Sequence, residues 1–215
     1  MSSQSESELA RKAFDRRSFL KGAGGAAAGS VLATNLSSAA TAKKGTPTVA
    51  RVEGEFTVAL NLNGKDTEVT VEPRTTLLSA LRDRCAPAMT GTKLVCDQAS
   101  CGACTVLVDG EARNACMTLA VDVMGAKIRT VEGLADSGKL SPLQEAFCEN
   151  DALMCGFCTP GFLMSLTGEL EKNPSADVDD IRKACAGNLC RCGTYPFIFQ
   201  AAAQAGAKMR ANGGR

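Results

Sequence analysis

The chain has 215 residues, with 24 Lys plus Arg against 23 Asp plus Glu, 45% hydrophobic residues, 4% aromatic ones and no Trp. That is a globular composition with an aliphatic core, and its near-zero charge lacks the basic footprint of a nucleic-acid binder. Eleven cysteines and no histidine exclude an imidazole general base, a Ser-His or Cys-His nucleophile pair and Rieske-type ligation.

Residues 1–42 read as an export signal. Arg16 and Arg17 sit beside Ser18, Phe19, Leu20 and Lys21, an uncharged run follows from Gly22 to Ala42, and Ala40-Thr41-Ala42 offers a small-residue cleavage site. The run is too poor in Leu, Ile and Phe for a membrane span, so no direct membrane insertion is expected. DRRSFLK resembles the twin-arginine export motif. This resemblance implies a periplasmic protein exported after folding around its cofactor. Removing residues 1–42 takes away five Lys/Arg and three Asp/Glu, leaving 19 against 20, so the mature chain stays near neutral. Residues 43–52 read as a linker.

From Glu55 the chain alternates, with Phe56, Val58, Leu60 and Leu62 on one face, then Asn63-Gly64, then Val69 and Val71. Alternation broken by Asn-Gly predicts a hairpin. Thr75 or Thr76 is placed to cap a short helix carrying Leu77, Leu78, Leu81 and Cys85 on one face. A cysteine-rich loop over 91–104 leads into a strand from Thr105 to Val108, turned by Asp109-Gly110, and a further strand is expected over 127–131. This predicts a small mixed sheet with one helix, over residues 53–132.

Over residues 133–215 helical periodicity replaces strand periodicity. Ser141-Pro142-Leu143-Gln144 has Ser as N-cap, Pro at the first helical position and Gln in capping-box position. A second helix is expected to carry Phe162 or Leu163, then Leu166 and Leu170, ending at Asn173-Pro174. A third runs through Val178, Ile181 and Cys185 to a left-handed cap at Gly187, and a fourth covers roughly 198–209. The fold class is therefore α+β, a sheet domain followed by an all-α domain.

Eight cysteines sort into two fours. Cys96, Cys101 and Cys104, with Cys116 after eleven intervening residues, have the C-x4-C-x2-C…C spacing of a plant-type [2Fe–2S] site. In the helical part Cys155 and Cys158 precede the second helix, and Cys190 and Cys192 follow the third. The 31 residues between Cys158 and Cys190 leave room for two antiparallel helices that return both pairs to one end of a bundle. Four thiolates suit iron–sulfur or zinc, and C-x-C, uncommon in zinc sites, favours iron–sulfur. Each CxxC is followed by Thr (Thr105, Thr159) rather than His, which excludes haem attachment. Cys85 and Cys185 fall on apolar faces and read as small buried hydrophobes, with Cys148, beside Phe147, read the same way. A disulfide-stapled exported binding domain and a free-standing ferredoxin-like carrier remain as alternatives.

GTKLVCDQASCGACTV, MCGFCTPG and GNLCRCGTYP, in that order, resemble the small iron–sulfur subunit of the xanthine oxidase family of molybdenum hydroxylases, of the isoquinoline and periplasmic aldehyde oxidoreductase type. The resemblance implies a β-grasp ferredoxin domain followed by a four-helix bundle, each with one [2Fe–2S] cluster. Cys96, Cys101, Cys104 and Cys116 then hold the outer cluster. Cys155, Cys158, Cys190 and Cys192 hold the inner one, next to the molybdopterin cofactor of a large partner subunit. Implied too are hydroxylation of an aldehyde or N-heterocycle on that partner, no substrate chemistry on this chain, and a flavin subunit or cytochrome c as acceptor. Met154 and Cys192 are the implied pterin contacts, although the family usually has Gln where Met154 stands, and a thioether donates no hydrogen bond. Ala99 stands where Gly is frequent, and RCGTYP replaces the commoner RCTGY, a variant of the isoquinoline-type subgroup.

Overall fold

Turn chemistry sets the sheet. In the computed structural model, which describes residues 53–213, β1 (Phe56–Leu62) pairs antiparallel with β2 (Lys65–Val71), Leu62 opposite Lys65. The Asn63-Gly64 turn between them has φ of 51° and 78°, the left-handed pair that lets a two-residue hairpin follow the twist of its strands. β3 (Thr105–Val108) and β4 (Glu111–Asn114) repeat the device at Asp109-Gly110, with φ of 51° and 82°. β5 (Lys127–Arg129) lies between the hairpins, parallel to β1 and antiparallel to β3, so the order is β2-β1-β5-β3-β4. The export signal and linker expected over 1–52 lie outside the described residues.

The strand expected over 127–131 stops at Arg129 because a side chain takes over the backbone. Thr130 donates its N–H to Asn63 Oδ1 at 2.9 Å, and Asn63 Nδ2 donates to Thr130 Oγ1 at 3.0 Å. The chain then makes a 3₁₀ turn over Val131–Gly133.

Thr76 is the cap of the first helix, its hydroxyl accepting the Ser79 N–H at 3.2 Å. That helix, α1, is an α-turn over Leu77–Ser79 that widens into a π-helical turn over Ala80–Arg84. It lays Leu77, Leu78 and Leu81 on the inward residues of the sheet, Val58, Leu60, Val69, Val71, Val106 and Ile128, all 2% exposed or less. Burying a side chain of this kind contributes about 1.5–3 kcal/mol.

Four helices follow. α2 (Pro142–Glu149) opens on the expected capping box, with Gln144 N–H on Ser141 Oγ at 3.3 Å and Ser141 N–H on Gln144 Oε1 at 2.9 Å. α3 (Thr159–Lys172) buries Phe162, Leu163, Leu166 and Leu170 and stops before Asn173-Pro174. α4 (Val178–Ala184) is capped by Asp177, whose carboxylate accepts the Asp180 N–H at 2.8 Å. α5 (Tyr195–Gly213) begins earlier than expected and runs past Met209. Gly187 does not supply a left-handed cap: α4 closes at Cys185, which has φ −93° and donates its N–H to the Ile181 carbonyl.

The sheet and the helices have separate hydrophobic cores within one compact unit. α3 joins them by packing on β3 and β4, where Gly168 lies close enough to Leu107 that an added Cβ would sit 2.8 Å from its side chain. No helix among the described residues is long and apolar enough to cross a membrane.

Candidate metal centre

The first quartet is built on the loop between α1 and β3. Asp97, Ala99 and Gly102 there have φ of 54°, 57° and 68°, and these left-handed residues curl the loop so that backbone N–H groups face its interior. One of them, Ala99 N–H, donates to Cys116 Sγ at 3.2 Å. Cys116 lies in a 3₁₀ turn (Ala115–Met117) just after β4 and is buried, as is Cys104; Cys96 and Cys101 are half-buried. The Ser100 hydroxyl, then the Gln98 backbone, bring the Cys96 thiol down to about 6, with Cys101 also hydrogen-bonded to it. Burial raises Cys101. Burial also pushes Cys104 up to about 12, with Cys116 as its hydrogen-bonding neighbour.

The second quartet lies at one end of the helices. Cys155 and Cys158 sit at the start of α3, whose N-cap is Cys158 itself, and Cys190 and Cys192 lie in the loop from α4 to α5. The Cys155 thiol lies beside Cys192, and the Cys158 thiol beside Cys190. The Phe157 backbone N–H, then Cys192, lower the Cys155 thiol. Against the upward push of burial, the Thr194 hydroxyl at 3.0 Å and backbone hydrogen bonds bring Cys190 to about 7. Burial pushes Cys158 up to about 12. Tyr195, the chain's single tyrosine, ties this loop together: its hydroxyl accepts the Cys190 N–H at 2.8 Å and donates to the Asn188 carbonyl at 3.2 Å.

Within each quartet the thiols lie near one another: Cys101 interacts with Cys96 and Cys104, Cys104 with Cys116, Cys155 with Cys192, Cys190 and Cys158, and Cys190 with Cys158 and Cys192. Among the described residues no three His, Cys, Asp or Glu side chains converge as a single bound ion would need. Four neighbouring thiols suit a two-iron unit, two thiolates to each iron, and the inward N–H groups suit its negative charge. The donor set thus fits [2Fe–2S].

The two quartets are neighbours. Leu189 donates its N–H to the Cys101 carbonyl at 3.0 Å, and Leu189 precedes Cys190. A cavity of about 400 Å³ opens beside this contact, lined by Cys101 from the first quartet and all four cysteines of the second, with Val95, Phe157 and Leu189. Those three apolar residues are 51%, 53% and 58% exposed, and Met154, beside Cys155, is 68% exposed. Exposed hydrophobics gathered at one rim mark an interaction surface. Cys155 and Cys192 are exposed there as well.

All eleven cysteines are free thiols. Cys85 and Cys185 lie in the two cores as expected, at 8% and 3% exposure. Cys148 does not: it is exposed, because α2 buries Leu143, Ala146 and Phe147 and the next position is turned about 100° away from that stripe. Gly102 stands at a close approach between the two parts of the chain. An added Cβ there would lie 2.5 Å from both Asn188 Nδ2 and the Gly187 carbonyl, so Gly102 is where the sheet and the helices touch. Sequence reasoning passed over Asn188, Thr194 and Tyr195, although GNLCRCGTY contains all three.

Comparison with known proteins places both parts of the chain in iron–sulfur families. Residues 60–127 match the 2Fe-2S iron-sulfur cluster binding domain family, and residues 130–203 match the [2Fe-2S] binding domain family. The nicotine 6-hydroxylase small subunit of Paenarthrobacter nicotinovorans is 50% identical over 144 residues, 67% of this chain and 86% of that protein. The aldehyde oxidoreductase iron-sulfur-binding subunit PaoA of Escherichia coli O157:H7 is 38% identical over 210 residues, 91% of this chain and 89% of that one. Among solved structures, quinoline 2-oxidoreductase from Pseudomonas putida 86 superposes with a TM-score of 0.68 at 43% identity, covering 73% of this chain and 97% of that chain.

Proposed function

This chain belongs to the iron–sulfur small subunits of the xanthine oxidase family of molybdenum hydroxylases, and on that premise we propose that its two cysteine quartets hold the clusters that carry electrons out of a molybdopterin-binding large subunit. Cys155, Cys158, Cys190 and Cys192 hold the inner [2Fe–2S] cluster, and Cys96, Cys101, Cys104 and Cys116 hold the outer one. Each cluster supplies one-electron redox chemistry. The protein residues keep the clusters in place, direct N–H groups at sulfur and join the two loops at Leu189 and Cys101. The reading rests on one observation above others: two adjacent thiol quartets, linked by a backbone hydrogen bond and sharing one cavity.

The rim of Val95, Phe157 and Leu189 around the exposed Cys155 and Cys192, with exposed Met154 next to Cys155 in the chain, is the face we assign to the large subunit, with Met154 and Cys192 toward its pterin. Met154 meets that cofactor through dispersion and a weak sulfur acceptor rather than a donated hydrogen bond. Electrons leave from the outer side to a flavin subunit or a cytochrome c. The partner hydroxylates an aldehyde or an N-heterocycle, and no group on this chain acts on substrate. The twin-arginine motif at Arg16 and Arg17 directs the folded chain to the periplasm.

Isolation of the full chain from its native source through a C-terminal tag tests the reading. Co-purification of a large subunit containing molybdenum is the expected result. Cluster-loaded chain that emerges alone would replace the relay with a free-standing carrier.

A further inference from the structure

Asn188 is 4% exposed at the seam between the sheet and the helices, and both ends of its amide are committed. Nδ2 donates to the Gly102 carbonyl at 3.0 Å, and Oδ1 accepts the Ser165 hydroxyl at 2.8 Å. The acceptor at Gly102 fixes which way the amide faces, since only the NH₂ end has protons to give. The next residue, Leu189, gives its N–H to the Cys101 carbonyl at 3.0 Å. Two successive residues of the helical loop thus grip two successive carbonyls of the sheet loop. The grip has no slack: an added Cβ on Gly161 would lie 2.2 Å from the Gly102 carbonyl and 3.1 Å from Asn188 Nδ2.

The bonded path between the quartets runs through the same grip. From Cys190 it follows the backbone to the Leu189 nitrogen, crosses the hydrogen bond to the Cys101 carbonyl, and reaches the Cys101 sulfur through Cα and Cβ. Every link but one is covalent, and that one depends on the two loops keeping their spacing. The Asn188 side chain is buried and bonded to Gly102 and Ser165, and its amide would be costly if unpaired.

We propose that Asn188 is a positioning residue for electron transfer between the two quartets: by clamping the Gly102 carbonyl it holds Leu189 N–H on the Cys101 carbonyl. The inference rests on the two-cluster reading above. One electron moves per passage, the helical side being oxidised by one and the sheet side reduced by one, with no bond made or broken and no proton transferred. The partner's molybdopterin site supplies the electron, and the flavin or haem acceptor removes it.

The test uses the full chain in complex with its large subunit, comparing wild type with Asn188→Ala and Ser165→Ala. Iron content, the spin–spin splitting between the two reduced clusters in EPR, and the flash-initiated rate of transfer between them are measured together. The expected Asn188→Ala complex keeps its iron and both signals, loses splitting, and transfers roughly ten- to a hundredfold more slowly, the range typical for loss of an outer-shell partner. Unchanged splitting and rate in an iron-replete Asn188→Ala complex would overturn the inference. If Asn188→Ala fails to retain iron, Ser165→Ala decides, because it removes one of the two hydrogen bonds that hold the amide and leaves the one to Gly102 in place. A smaller loss of splitting and rate then supports the clamp, and wild-type values overturn it. Fewer than two cluster signals in the unsubstituted chain would instead overturn the cluster reading and this inference with it.

Discussion

Tyr195 accepts the Cys190 N–H on its hydroxyl at 2.8 Å while its ring stands edge-on to Phe162, centroids 5.7 Å apart. One side chain thus anchors a metal-site loop to the helical core. Tyr195→Phe keeps the ring contact and removes the acceptor, leaving the Cys190 N–H without its partner at a cost of about 1–3 kcal/mol. The thermal midpoint of the cluster-loaded chain falls, and on heating the iron of the helical site is released before that of the sheet site. Equal release from both sites, followed by EPR, would contradict the anchor.

Ala99 sits at φ 57° with its N–H on Cys116 Sγ. An alanine in the left-handed region carries about 1–2 kcal/mol of strain that glycine does not. Ala99→Gly therefore raises the thermal midpoint of the loaded chain, offset in part by the greater freedom of glycine in the unfolded state. A lowered midpoint would show that the loop needs the methyl group more than it needs the relief.

Gly161 lies inside α3, where alanine would ordinarily be preferred by about 1 kcal/mol. Here a Cβ meets the Gly102 carbonyl at 2.2 Å and Ala103 Cα at 3.1 Å, backbone atoms that cannot swing aside. Gly161→Ala is expected to destabilise by roughly 1–3 kcal/mol, the overpacking range, as read from denaturant unfolding. A stabilised variant would mean that the sheet and helices are not in contact at this point.

The three leftover thiols differ in access. Burial raises Cys85 and pushes Cys185 up to about 12, whereas Cys148 is exposed. The thiolate is the reacting form, and a raised pKa keeps a thiol protonated as pH climbs. In the folded, loaded chain iodoacetamide modifies Cys148 alone, and raising the pH to about 9, just past the ordinary thiol value, leaves Cys85 and Cys185 unlabelled until the chain unfolds. Mass spectrometry locates the label. Modification of Cys185 in the folded chain would contradict its burial.

The proposed export route turns on the arginine pair. Arg16→Lys combined with Arg17→Lys keeps the chain in the cytoplasm with its iron bound, as cell fractionation and immunoblotting would read. Unchanged delivery to the periplasm would remove the twin-arginine route.

What the sequence made legible was local. Asn63-Gly64 and Asp109-Gly110 announce both hairpins, Ser141-Pro142-Leu143-Gln144 announces α2, and the cysteine spacings mark the two loops that the fold brings together. What it hid was made by contacts between distant residues. Asn63 ends β5 through Thr130, 67 residues away, and Asn188 reaches Gly102 across 86 residues. No period or turn signal records such pairs. Cys148 misled for a simpler reason, since sitting beside Phe147 in sequence means facing away from it on a helix. Tyr195 and Asn188 stood in plain view in GNLCRCGTY, but polar residues next to cysteines look like loop solvent until their partners are known.

The most direct test of the central claim is an iron and labile-sulfide count on the natively isolated chain, joined to low-temperature EPR of its reduced form. Two quartets each holding a [2Fe–2S] cluster predict about four irons, about four sulfides and two distinguishable signals. Two irons with one signal would leave one quartet without a cluster, and the absence of both would end the electron-relay account.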